Sequence, residues 1–283
     1  MPRTSAPKGD ETKHSDASPE GPALAEYARA SRTPLHVLAF LIPLILIYEV
    51  GLALHHEELA ASGGVRAWAM IAGAMETLGV SPSTVVGYSL PAAVIVVVLL
   101  LWHVFEKRRW RLKPLVVPLM FAEAVAWMVP LLLFAGVLTR MTQAPGAGVP
   151  ATPEPSAIPL VPASLDALGH LSWQARMVIA IGAGLYEELL FRMALLALLH
   201  AVLADLCRLK PGVTVAIALP VSAIAFMLYH DVWTSTGLAI APALLYLVGG
   251  LYLGAIYLLR GFGVAVGAHA CYNVTVLVLL GPA

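Results

Sequence analysis

Cysteine is nearly missing from this chain, which carries only Cys207 and Cys271. Two are too few for a cysteine-rich metal centre. One sits near a membrane edge and the other inside an apolar run, which makes a structural disulfide a poor reading. Charge is scarce as well, at 12% of residues with a net value of zero. No basic stripe interleaved with aromatics occurs, so nucleic-acid binding is set aside. What is abundant is apolar surface: 59% of residues are hydrophobic, against about one half in soluble domains. The chain therefore reads as all-α, a polytopic transmembrane helical bundle whose first partner is the lipid bilayer.

The hydrophobic runs set the organisation. Spans of roughly 20 apolar residues cross about 30 Å of hydrocarbon as helices. Candidates lie at 35–54, 84–105, 115–138, 172–204, 213–231 and 236–259, with a shorter, glycine-rich seventh at 262–280. Between the first two, 65–80 carries Arg66 and Glu76 with apolar residues at near-helical spacing, and reads as an interfacial helix. Residues 1–34 are rich in Ser, Pro and charge without periodicity, which predicts a disordered tail. The first apolar run begins too far from the start for a secretory signal and reads as a retained anchor. Three parts follow: the tail 1–34, the N-terminal membrane helices 35–170 with a proline-rich loop at 139–162, and a core at 171–283. The basic loop Glu106 to Lys113 should face the cytoplasm, and with it the tail.

Charge inside such runs is costly, which makes each acid there a candidate for function. Glu187 and Glu188 lie together within 171–206. Helical geometry puts Glu188 and Arg192 four apart on one face, acid first, the favourable order for an ion pair. Glu187 points about 100° away, lacks that partner and is free to take a proton. His230 closes the next run, one turn beyond Phe226. His269 and Asn273 lie four apart in the last run, where Gly261, Gly263 and Gly267 keep the helix slim. Four polar groups, Glu187, His230, His269 and Asn273, thus suggest hydrolytic chemistry. Glu49 and Glu123 read as acids paired with neighbouring groups, and His103, His170 and His200 as interfacial. One geometric tension stands: His230 falls at the far end of its run, so convergence requires tilt, a bent fourth helix or an off-centre cavity.

The ordered set Glu-Glu-x-x-x-Arg, Phe-x-x-x-His and His-x-x-x-Asn over 171–280 resembles the CPBP family of intramembrane proteases, which includes CAAX prenyl endopeptidases and bacteriocin-processing proteins. The resemblance implies a glutamic-type endopeptidase acting on a membrane-associated or lipid-modified polypeptide. It implies that Glu187 and His230 activate water, that His269 and Asn273 stabilise the oxyanion, and that Glu188 and Arg192 hold the helix in register beside Phe226. It also implies an integral, multi-pass protein of a bacterial cytoplasmic membrane working without a cofactor. Zinc held by Glu187, His230 and His269 is the rival mechanism, although no His-Glu-x-x-His pair is present. A proton or ion relay through Glu49, Glu123, Glu187 and the histidines would predict repeated halves, which the sequence does not display. A scaffold or immunity protein that binds a peptide without cutting it is a third class.

Overall fold

The computed structural model describes residues 22–61, 66–77, 79, 85–107, 109–143, 170–235 and 237–281. The expected disorder of 1–21 and most of the expected proline-rich loop, 144–162, fall outside them. The described chain is helical: α1 (Pro22–Ala30), α2 (Pro34–Leu54), α3 (His56–Ala61), α4 (Arg66–Thr77), α5 (Val85–Phe105) and α6 (Val116–Gln143) are followed by a long α7 (Trp173–Leu206). After it come α8 (Pro211–Tyr229), the two-residue strands β1 (Trp233–Thr234) and β2 (Gly237–Leu238), α9 (Ile240–Arg260) and α10 (Phe262–Leu279). In lipid, a helix satisfies its backbone groups within itself, so apolar runs of this length take that form. Six of these helices, α2, α6, α7, α8, α9 and α10, are long and apolar enough to cross a membrane. The expected second span 84–105 corresponds to the apolar helix α5, Val85–Phe105.

The glycine-rich α10 is the centre of the bundle: 61% of its apolar window is buried, against 22% for α6. Small residues make that position available. Gly184 of α7 meets the backbone of Ala270, where an added Cβ would lie 2.8 Å from the Ala270 nitrogen. Gly184→Ala is therefore expected to push α7 and α10 apart at a cost of about 1–3 kcal/mol, read as a lower thermal midpoint in detergent. Gly261 joins α9 to α10 at φ 92°, in the left-handed region that glycine adopts without strain. On the far side, Gly267 faces Phe40 and Ala124, so α10 is enclosed by α2, α6 and α7.

The long fourth span begins at a defined cap. Ser172 accepts a hydrogen bond from the Ala175 amide at 3.2 Å, and its own hydroxyl and amide donate to Glu58, which holds the Glu58 carboxyl below its ordinary range. α7 is 34 residues long, about 50 Å at 1.5 Å per residue, well beyond the hydrocarbon thickness. It is regular over Trp173–Glu188 and then widens into π-helical turns at Leu189–Leu195 and Ala201–Leu206.

Two elements depart from the sequence reading. Part of the expected tail forms α1, because the Tyr27 hydroxyl donates to Glu123 of α6 at 2.5 Å and the Arg260 guanidinium packs over the Tyr27 ring. The expected span 236–259 starts four residues late, since Gly237–Leu238 pairs with Trp233–Thr234 in an antiparallel hairpin. Glu123 itself is ion-paired with Arg260 and accepts from the Trp127 indole at 3.0 Å. It ties α1, α6 and α9 together. Glu123→Ala is expected to lower stability by about 2 kcal/mol by leaving the half-buried Arg260 without its carboxylate, measured as a shift in thermal midpoint.

Candidate active site

Glu187 and Glu188 end the regular part of α7, and both are buried. Their divergence around the helix gives them separate environments. Glu188 is fully enclosed, and its Oε1 lies 2.9 Å from Arg192 Nη1 and 2.8 Å from His269 Nδ1. Arg192, in the first π-helical turn, is held in turn by the Gly250 carbonyl at 3.1 Å and stacks over Phe226, 4.5 Å from the ring centroid. The spacing-based pair Glu188–Arg192 is thus present, and Glu188 also reaches a second helix through His269. That second contact is invisible to spacing within one helix.

Glu187 occupies the other side. Its Oε2 lies 3.7 Å from His230 Nε2 and 3.8 Å from His269 Nε2. Both distances exceed a direct hydrogen bond. The ring tautomers follow from the opposite nitrogens. His230 Nδ1 contacts the Phe226 carbonyl at 2.8 Å, an acceptor only, so Nδ1 carries the proton and Nε2 turns a lone pair toward Glu187. A carboxylate paired with Arg192 likewise makes His269 Nδ1 the donor, which leaves its Nε2 aimed at Glu187. Tyr229 also faces Glu187, too loosely for an aligned hydrogen bond, since its hydroxyl is buried without a partner of good geometry among the described residues.

The depth mismatch for His230 has a simple resolution. Glu187 precedes the end of α7 at Leu206 by as many positions as His230 follows the start of α8 at Pro211. The two helices form an antiparallel hairpin, so the residues meet at one level. His230 lies just past α8, in extended conformation at φ −86° and ψ 162°, and its ring stacks on Tyr246 of α9 with centroids 3.7 Å apart. The following residue, Asp231, pairs with Arg66 of α4 at 2.8 Å, and Arg66 also lies over the Tyr229 ring. Tyr246, Asp231 and Arg66 were not singled out as site residues, because contacts between spans leave no regular spacing.

The structure brings Glu187, Glu188, Arg192, Phe226, His230 and His269 together. Asn273 stands apart: its amide donates to the Ala180 carbonyl of α7 at 3.5 Å, two turns before Glu187. Glu49 accepts from Ser89 at 2.9 Å and interacts with Tyr186. Among the described residues, no set of three or more His, Cys, Asp or Glu side chains has the geometry of a metal site.

The comparisons with known proteins bear on the same segment. Residues 169–275 match the family model of the type II CAAX prenyl endopeptidases, Rce1-like. The matched range contains all of the clustered side chains. No curated protein and no solved structure gives a significant match.

Proposed function

We propose, from the premise that this chain is a membrane-embedded member of the CAAX protease family through residues 169–275, that Glu187 is the general base of a glutamic-type endopeptidase acting on a membrane-associated or lipid-modified polypeptide. The observation that carries this reading is the approach of two imidazole Nε2 atoms to one buried carboxylate oxygen at 3.7 and 3.8 Å. That separation suits a water lying among the three that donates one hydrogen bond to Glu187 and the other to His230 Nε2, since two atoms each about 2.8 Å from a water at a near-right angle stand close to 4 Å apart.

In this mechanism Glu187 takes a proton from the water while His230 Nε2 orients it. The nascent hydroxide adds to the scissile carbonyl. Glu187 passes this proton to His269 Nε2, giving an imidazolium whose charge Glu188 stabilises and whose N–H donates to the oxyanion, and takes it back as the intermediate collapses. Glu187 returns the proton to the departing amine, completing hydrolysis. Asn273 contributes a second donor once its 3.5 Å bond to Ala180, at the limit of hydrogen bonding, is released. Arg192, fixed by Gly250 and Phe226, positions Glu188. A buried, water-poor setting strengthens each of these electrostatic effects. Candidate substrates are a prenylated C-terminal CAAX motif, a bacteriocin leader or the anchor of a surface protein, met in a bacterial cytoplasmic membrane.

The test is purification in detergent with metal analysis, followed by incubation with lipid-modified and membrane-anchored peptides with and without chelator. Metal-free, chelator-resistant cleavage is expected. Chelator-sensitive cleavage with stoichiometric zinc would replace this reading by the zinc mechanism, and ion flux in liposomes without any cleavage would replace it by transport.

A further inference from the structure

Away from the Glu187 cluster, the end of α5 and the basic loop that follows it meet the start of α2. A recess of about 400 Å³ lies there, bounded by α1, the first turn of α2, the end of α5 and the loop 109–113. It shares no residue with the Glu187 cluster. Four cationic side chains line it, Arg29, Arg109, Arg111 and Lys113, against the single carboxylate of Glu26. That carboxylate is committed to Lys113, whose hydrogen bond and charge hold it below its ordinary range. Arg29 is partly engaged as well, donating to the Ala25 carbonyl at 3.2 Å. Arg109 and Arg111 have no carboxylate partner among the described residues.

Two histidines lie in the same recess and differ in one respect. His36 is satisfied on both sides: Thr33, whose hydroxyl donates to Ala30, accepts from Nδ1 at 2.6 Å, and the Lys113 amide donates to Nε2 at 3.1 Å. His103 is 2% exposed, and neither ring nitrogen has a hydrogen-bond partner among the described residues. Among the described residues its ring meets Trp110 in an edge arrangement, centroids 4.5 Å apart. A buried polar group left without a partner has lost its hydration with nothing in exchange. A ligand that accepts hydrogen bonds and carries negative charge answers both this imidazole and the surplus of guanidinium groups.

We infer that this recess binds the phosphate headgroup of an anionic phospholipid from the leaflet that the basic loop faces. A phosphate oxygen accepts from His103 at the floor, while Arg109 and Arg111 clamp the charge at the mouth. The flanks favour a lipid over a soluble anion. Phe105, Trp110, Leu112 and Leu115 are all exposed beside the recess, an apolar and aromatic collar of the kind that sits at headgroup level. Acyl chains emerging from a bound headgroup run along that collar. Basic pockets between helix ends on the cytoplasmic side recognise anionic headgroups by this combination.

Native mass spectrometry of the delipidated full chain, titrated with phosphatidylglycerol, phosphatidylcholine or inorganic phosphate, tests the assignment. Wild type is expected to retain phosphatidylglycerol at least tenfold better than phosphatidylcholine. The R109A/R111A double variant, changed only at exposed positions, is expected to lose that preference. His103→Phe, which keeps ring volume without the N–H, should weaken it severalfold, while Lys210→Gln, at another exposed cation, should leave it unchanged. Equal retention of the two lipids by wild type, or a preference that survives R109A/R111A, would overturn the site. Saturation by inorganic phosphate that phosphatidylglycerol does not displace would overturn the lipid and assign a soluble anion. Thermal midpoints of the variants within a few degrees of wild type separate lost binding from lost folding.

Discussion

Glu187→Gln is expected to lower kcat for peptide cleavage by about 10²–10⁴-fold with little change in KM, the range associated with removing a positioned general base. The substitution preserves the shape of a buried side chain, so the fold and the peptide-binding surface stay as they are. What disappears is the capacity to accept a proton at the oxygen that both imidazoles approach at 3.7 and 3.8 Å. Neither histidine replaces it: His230 is oriented by the Phe226 carbonyl and by stacking on Tyr246, and His269 is tied to Glu188. A variant that keeps KM and thermal midpoint while losing turnover is the signature of a chemical role. Loss of midpoint together with activity would indicate that Glu187 is a packing residue instead.

Arg192→Met is expected to destabilise the protein by about 3–5 kcal/mol, because it leaves Glu188 as an uncompensated charge in a site with almost no exposure. The loss extends beyond the pair. Arg192 is the link between α7, the Gly250 carbonyl of α9 and the Phe226 ring of α8, so three helices lose a common anchor. Replacing both partners, as in Glu188→Gln with Arg192→Met, should recover part of the stability, since no charge is then left alone. It should not recover turnover, because His269 no longer faces a carboxylate. Thermal denaturation in detergent, run alongside kcat on the same preparations, reads both effects.

The sequence carried much of this account where the physics is local. Apolar runs identified the spans because a run of about 20 apolar residues satisfies its backbone groups in lipid as a helix. The Glu188–Arg192 pair was legible because i,i+4 spacing is a property of one helix. Spacing also separated Glu187 from Glu188, whose environments do differ. Relations between helices were not legible. The bond from Glu188 to His269 joins positions far apart in the chain, and the Tyr246 ring under His230 sits in an apolar run without any motif. How His230 meets Glu187 stayed open among tilt, a bent fourth helix and an off-centre cavity for a related reason: a hydrophobic run does not disclose which residues of two antiparallel helices stand at one level. The helix Pro22–Ala30 was missed because its stability comes from Glu123 and Arg260 in distant helices and not from its own periodicity.

The central claim is that Glu187 and His230 act on one and the same water. A double-mutant cycle measures this directly, through kcat for wild type, Glu187→Gln, His230→Ala and the double variant on one anchored peptide. Groups that operate as a unit give non-additive losses. The account predicts a double variant within about threefold of the slower single variant. Losses that multiply across the cycle would mean that the carboxylate and the imidazole serve separate steps, and would contradict it.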